Sequence, residues 1–102
     1  MVRIGLFCAA GFSTGMLLNN MKAAAAKRGI EVSIDAYGQT SMDSHIDNLD
    51  VALLGPQVAY AFDKSEAICK AHNVPISLIP MADYGMLDGD KVLDLALSLV
   101  GN

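Results

Sequence analysis

Cys8 is followed by Ala9-Ala10-Gly11-Phe12-Ser13-Thr14-Gly15-Met16, a run of small and hydroxyl-bearing residues after a short apolar stretch. A thiol at a strand end, with a helix opening straight after it, lies where several backbone N–H groups converge. Such a nest at the positive end of a helix holds a phosphate or another tetrahedral oxyanion. The same field is expected to lower the thiol pKa and raise the thiolate fraction near neutral pH. The loop contains no Lys or Arg, so activation must come from backbone dipoles and hydroxyls, and a modest shift is expected. One of Ser13 and Thr14 is expected to cap the helix, leaving the other to donate to an anion. Residues Ala9 to Met16 are therefore a candidate phosphate-binding loop around the candidate nucleophile Cys8. A buried structural cysteine followed by a tight turn explains the same residues, and both readings stay open. The spacing of Gly11 and Gly15 is not G-x-G-x-x-G, and no Gly-Lys-Ser/Thr follows, so dinucleotide and Walker-type loops are excluded.

Three other segments carry polar chemistry. In Asp83-Tyr84-Gly85-Met86-Leu87-Asp88-Gly89, Asp83 is a candidate general acid and Tyr84 a candidate ligand donor, and both, with Met86, are candidate rim or partner contacts. Their alternative role is a turn, and Asp88 reads as the cap of the helix that follows. In Gly55-Pro56-Gln57, Gln57 is a candidate rim or partner contact, while Gly55 and Pro56 read as a rigid strand-to-helix turn. Cys69 and His72 have a spacing that metal sites use, but His45 is the only other histidine. Cys69 is expected in the core, both histidines at the surface, and no metal site or cofactor is implied. Met16 and Met21 read as helix core. Met81 and Met86 flank the fourth loop and could form an apolar rim.

The elements that position these residues follow from patterning. Residues 2–8 and 50–54 are short, nearly continuous apolar runs, as in central parallel strands buried on both faces. Residues 30–36 alternate strictly, which suits a half-exposed strand nearer an edge, and 75–79 form a fourth strand stopped by Pro80. Leu17, Leu18, Met21, Ala24, Ala25 and Arg28 share one helix face, ended by Gly29 in a left-handed stop. Thr40 and Asp43 match a capping box, predicting a helix over 41–48. A third helix spans 57–71 with less clean periodicity. The last begins at Asp88, with Val92, Leu93, Ala96, Leu99 and Val100 on one face. Strands alternating with helices predict a parallel sheet covered on both faces. Ligands in such sheets bind beyond the carboxyl ends of the strands. Those ends are Cys8 onward, Tyr37-Gly38, Gly55-Pro56-Gln57 and the loop from Met81 to Asp88.

The chain has 102 residues, of which 53 % are hydrophobic and 18 % charged, a balance that excludes global disorder. One domain over 1–102 accounts for the length. Net charge is −4 and no basic cluster exceeds Lys27-Arg28, so nucleic-acid binding is not expected. Two cysteines are too few for a disulfide scaffold and suit a reducing cytosol. Polar and glycine residues interrupt the N-terminal apolar run, so neither a signal peptide nor a membrane span is expected.

Three ordered segments carry a resemblance over essentially the whole chain. They are Ile4-Gly5-Leu6-Phe7-Cys8-Ala9-Ala10-Gly11-Phe12-Ser13-Thr14, Leu53-Leu54-Gly55-Pro56-Gln57-Val58 and Asp83-Tyr84-Gly85-Met86-Leu87-Asp88-Gly89. Together they resemble the enzyme IIB components of bacterial sugar phosphotransferase systems, in the lactose/cellobiose class that includes chitobiose carriers. Phe12 stands where Met is usual in that class, and Gly15 where Ser is common. Gly15 is expected to loosen the loop and to remove a hydroxyl donor.

The resemblance implies an α/β fold in three layers: a four-stranded parallel open sheet of order 2-1-3-4 with helices on both faces, similar to low-molecular-weight tyrosine phosphatases. It implies a phosphocysteine at Cys8, charged from a phosphohistidine on enzyme IIA and discharged to a sugar on the membrane permease IIC. It also implies a cytoplasmic location, transiently at the inner membrane face through IIC, without membrane insertion. A monomer is the default expectation for the isolated chain. Phe12, Met16, Met81, Met86 and Leu87 are candidates for the rim that partners touch. A phosphatase on the same fold would want Cys-x5-Arg, and here that position is Thr14. A non-catalytic protein-binding module is the other alternative, and it leaves the Cys8 loop unexplained.

Overall fold

The computed structural model describes residues 1–9 and 12–100. The expectations for Ala10 and Gly11, and for the side chains of Phe12 and Ser13, lie outside the described residues. Strand β1 spans Val2–Cys8, helix α1 Phe12–Arg28, β2 Val32–Gly38, α2 Met42–His45, β3 Val51–Leu54, α3 Phe62–Ala71, β4 Ile76–Leu78, α4 Met81–Gly85 and α5 Gly89–Val100. Three 3₁₀ turns, Gln39–Ser41, Ile46–Asn48 and Pro56–Ala61, complete the connections.

The four strands form one parallel sheet in the order β2-β1-β3-β4. Side chains alternate across it, as the two-residue period of a strand requires. Ile4, Leu6, Cys8, Val51 and Leu53 face one way, packed with Leu17, Met21, Ala24 and Ala25 of α1 and Val92, Leu93 and Ala96 of α5. Phe7, Ala52 and Leu54 face the other way, against Met42 of α2 and Cys69 of α3. Both faces of β1 from Ile4 onward and of β3 are therefore dry, which is why these stretches are apolar throughout. Each large side chain buried this way contributes roughly 1.5–3 kcal/mol.

Helix α1 stops where Gly29 turns left-handed at φ +69°. The Gly29 N–H donates to Ala26 O and the Ile30 N–H to Ala25 O, satisfying carbonyls that a helix end leaves open. Ile30 is used in that stop, so β2 begins two residues later than the alternation suggests. Its register is set by Val2 opposite Val32 and Cys8 opposite Gly38. Arg28 then reaches from α1 to Asp90 and Asp94 of α5.

Three other sequence expectations are corrected. Thr40 lies inside the 3₁₀ turn Gln39–Ser41, and the residue before α2, Ser41, makes no side-chain capping bond. Ser41 Oγ donates instead to Gly38 O. The expected 41–48 helix is thus a four-residue helix between two tight turns. The expected 57–71 helix begins as a 3₁₀ turn broken at Val58 (φ −115°, ψ 27°), which accounts for its poor periodicity. The Met81–Asp88 loop contains helix α4, its N-terminus set by Pro80 (φ −56°).

Candidate functional site around Cys8

Cys8 ends the strand that lies between two others, so the backbone fixes its sulfur from both sides. The Gly55 N–H donates to Phe7 O at 2.8 Å and the Ile79 N–H to Leu54 O at 2.9 Å. These bonds extend the sheet to its carboxyl edge. Helix α1 opens four residues after Cys8, at the edge where ligands collect in open parallel sheets.

The thiol is 1 % exposed. Among the described residues, three groups act on it: the hydroxyls of Thr14 and Tyr84 and the backbone of Gly55. No charged side chain is among them. Burial pushes the thiol pKa up and outweighs the three hydrogen-bonding groups, which pull it down. This corrects the expectation of a lowered value. Desolvation penalises the thiolate more than neutral donors compensate.

Gly55 is a close neighbour of the sulfur. A Cβ there would lie 2.7 Å from Cys8 Sγ and 2.8 Å from Gln57 Oε1. The missing side chain leaves the slot that the sulfur and the Gln57 carboxamide share. Conformation alone does not demand glycine, because its φ is −67°. Reading Gly55 as a turn residue without a further role therefore missed this contact. A glycine directly after an apolar strand was the available signal.

Thr14 comes from the first turn of α1 and Tyr84 from α4. Their side-chain oxygens share a hydrogen bond of 3.1 Å, and each residue is 6 % exposed. Tyr84 thus stands beneath the sulfur instead of on a rim. Asp83, half-buried in the first turn of α4, is not among the groups acting on Cys8. Its backbone O accepts from the Asp88 N–H. Asp88 caps α5 as expected, accepting from the Lys91 N–H at 3.1 Å.

The remaining candidates divide. Gly15 lies within α1 rather than in a loop, with open space around it. Met16 is exposed, contrary to its reading as core, whereas Met21 is fully buried. The buried positions of α1 are Thr14, Leu17, Met21, Ala24 and Ala25, and Met16 falls off that stripe. Met81 and Met86 are 76 % and 79 % exposed. Ala9, just after Cys8, is exposed. Cys69 packs against Met42 with its sulfur 3.7 Å from Met42 Sδ, and burial pushes its thiol up to about 11. His72 instead faces Asp47, 2.5 Å away, and His45 is half-buried and stacks on Tyr37 at 3.8 Å. Cys69 and His72 therefore do not converge, and no metal-binding group of three occurs among the described residues. No described helix is long and apolar enough to cross a membrane.

Comparison with known proteins fits this geometry. The family model for the lactose/cellobiose-specific IIB subunit of the phosphotransferase system matches residues 3–95. The galactose-specific EIIB component of Lactococcus lactis subsp. cremoris is 44 % identical over 95 % of this chain and 94 % of its own. The cellobiose-specific EIIB component of Lactococcus lactis subsp. lactis matches at the same identity and coverage. The oligo-beta-mannoside-specific component of Bacillus subtilis is 35 % identical over 100 % of this chain and 99 % of its own. Among solved structures, the cellobiose-specific IIB protein of Borrelia burgdorferi has a TM-score of 0.84 at 37 % identity, covering 99 % and 93 % of the two chains. The lactose-specific IIB domain of Streptococcus pneumoniae superimposes with a TM-score of 0.86 at 17 % identity over 96 % of both chains, a likeness of fold. The chain belongs to the lactose/cellobiose-specific IIB subunits of the sugar phosphotransferase system, a family of phosphotransferases.

Proposed function

We propose that residues 1–102 act as one IIB domain in which Cys8 carries the phosphoryl group. The observation that supports this most is a buried strand-end thiol, ringed by hydroxyls and backbone, with no charged side chain acting on it. Phosphoryl transfer needs positioning and electrostatic stabilisation of the equatorial oxygens. The second would come from the free N–H groups of the first turn of α1, which opens four residues after Cys8. In the first step the Cys8 thiolate attacks phosphorus on a phosphohistidine of enzyme IIA. The S–P bond forms, the P–N bond breaks, and its electron pair stays on the imidazole, which takes up a proton. In the second step a sugar hydroxyl held by the permease IIC attacks the same phosphorus. The S–P bond breaks with its pair returning to sulfur, and the hydroxyl proton leaves to a base on the permease side. The amides neutralise charge without a guanidinium clamp, so the group is held loosely enough to be passed on.

A cellobiose-type disaccharide is the acceptor we favour, with chitobiose and lactose as alternatives. A cellobiose-specific relative supports the first of these, and equally similar or more distant relatives are specific for galactose and for oligo-β-mannosides. The site of action is the cytoplasmic face of the membrane. Gln57, Met16, Met81, Met86 and Leu87 ring the sheet end and form the surface that both partners use in turn, with Asp83 as a further rim residue. Contacts of this relay type are small and transient.

The test is intact-mass analysis after incubation with phosphoenolpyruvate, the general phosphotransferase proteins and a cellobiose-class IIA. The expected result is one added phosphoryl group on the wild type, none on Cys8→Ser, and discharge by permease plus sugar. Hydrolysis of an aryl phosphate without an adduct would favour the phosphatase. Wild-type behaviour of Cys8→Ser would favour a binding module.

A further inference from the structure

We propose that Tyr84 is a positioning residue for the Cys8 sulfur, forming with Thr14 a buried hydroxyl pair that turns one proton toward the sulfur as negative charge develops there. This rests on the reading of Cys8 as the phosphoryl carrier.

The pair is built from two separate elements. Helix α1 supplies Thr14 and helix α4 supplies Tyr84. Helix α4 is closed by local backbone bonds at both ends and tied to α1 by one side chain. The Tyr84 N–H donates to Pro80 O at 3.0 Å, and the Leu87 N–H donates to Tyr84 O at 3.0 Å. Asn20 Nδ2, from α1, donates to Leu87 O at 2.8 Å. Leu87 takes the left-handed conformation, φ 53°, which a β-carbon makes costly. The chain thus accepts local strain where it ties α4 to α1. The two oxygens meet 3.1 Å apart, both residues nearly sealed from water.

A buried tyrosine hydroxyl ordinarily needs one partner, and Thr14 supplies it. The further feature is that both hydroxyls also bear on the same sulfur. Each hydroxyl has one proton and two lone pairs and can rotate. With a neutral thiol, one proton bridges the two oxygens. With a thiolate, the free proton turns to the sulfur, and the bridging bond strengthens it by polarisation. The device follows the charge on the sulfur without adding a fixed positive group that would retain phosphate.

The test follows the Cys8 Cβ resonance against pH, in protein isotopically labelled at cysteine Cβ, with the signal assigned by its loss in Cys8→Ser. Tyr84→Phe keeps the ring and removes the oxygen. It is expected to raise the Cys8 midpoint by about one unit. Thr14→Val is expected to raise it as well, and Thr14→Ser to restore the wild-type value. The double variant Tyr84→Phe/Thr14→Val is expected to shift it by less than the sum, because Tyr84 acts partly by orienting Thr14. Phosphoryl uptake by Tyr84→Phe is expected to slow about tenfold near neutral pH and to recover as pH rises. An unshifted midpoint in natively folded Tyr84→Phe would overturn the proposal. If Tyr84→Phe does not fold, the Thr14 pair decides, and equal shifts in Thr14→Ser and Thr14→Val would overturn it. A wild type that takes up no phosphoryl group from any donor would overturn the relay, whereas the midpoints report on the hydroxyl pair alone.

Discussion

Burial and hydrogen bonding act in opposite directions on the Cys8 sulfur, whereas at Cys69 burial and the nearby Glu66 charge push the same way. Both thiols have raised pKa values in the folded chain. An unfolded thiol titrates at about 8.5. Above that value the unfolded chain has given up protons that the folded chain still holds, so stability falls as pH rises. The loss continues until the folded thiols titrate, at about 11 for Cys69. The urea midpoint should therefore be lower at about pH 10 than at about pH 7, and Cys69→Ala should flatten that slope. A midpoint insensitive to this range would contradict the assignment. At Gly55 the issue is space. In Gly55→Ala the new Cβ meets Cys8 Sγ at 2.7 Å and Gln57 Oε1 at 2.8 Å. The carboxamide can swing away, but the strand-end sulfur cannot. Phosphoryl uptake is expected to drop on the order of tenfold or more, with stability lower by about 1–3 kcal/mol. Initial rates from intact-mass analysis and urea midpoints separate the two effects. The place of Cys8, at the end of a buried strand with a helix opening soon after, was legible in the sequence; the pattern alone left a phosphate site and a structural cysteine both open. The contact at Gly55 and the pairing of Thr14 with Tyr84 were not legible, since both depend on elements far apart in sequence.

Gly89 at the α1–α5 contact and Gly15 on the open face of α1 show how differently one residue type behaves in an element. Gly89 opens α5, and a Cβ there would lie 2.4 Å from Asn20 C, 2.5 Å from Asn20 O and 2.6 Å from Met21 N. These are backbone atoms in the middle of α1, so neither helix can yield locally. Gly89→Ala is expected to destabilise the fold by roughly 3 kcal/mol, read as a lower urea midpoint. Gly15, in contrast, is exposed in α1 with open space about it. Gly15→Ala is expected to stabilise by about 0.5–1 kcal/mol, because alanine gives up less backbone freedom on entering a helix. A lowered midpoint in Gly15→Ala would show that the first turn of α1 needs glycine. Element types were largely readable from period and punctuation. Gly29 and Asp88 marked a stop and a start that the hydrogen bonds reproduce. The failures have local causes. Thr40 could cap in principle, but a 3₁₀ turn took it first. Helix α4, five residues long, is too short to show a helical period, so only Pro80 announced it.

Across the whole molecule, the parallel sheet of order β2-β1-β3-β4 gathers every candidate residue that bears on Cys8 at one edge. That much was foreseeable, because alternating strands and helices leave few topologies. The exposed methionines at this end were only partly foreseeable. Met16, Met81 and Met86 stand out of the core, and none is needed for packing. In the proposed relay, Met81→Lys/Met86→Lys should weaken the encounter with the IIA donor about tenfold, from the loss of roughly 1.5 kcal/mol of apolar burial. The urea midpoint should stay within about 0.5 kcal/mol of wild type. An unchanged uptake rate at low donor concentration would remove these residues from the docking surface. The two cysteines lie on opposite sides of the sheet, Cys8 at the end of β1 facing α1 and Cys69 within α3. The sheet stands between them as a wall two side-chain layers thick. A sulfenic acid formed at Cys8 therefore has no second thiol in this chain with which to condense. It can be rescued by a thiol from solution, close on a backbone nitrogen as a sulfenamide, or climb to the sulfinic state from which simple reductants do not return it. Sugar uptake through such a carrier would then depend directly on the thiol supply of the cell.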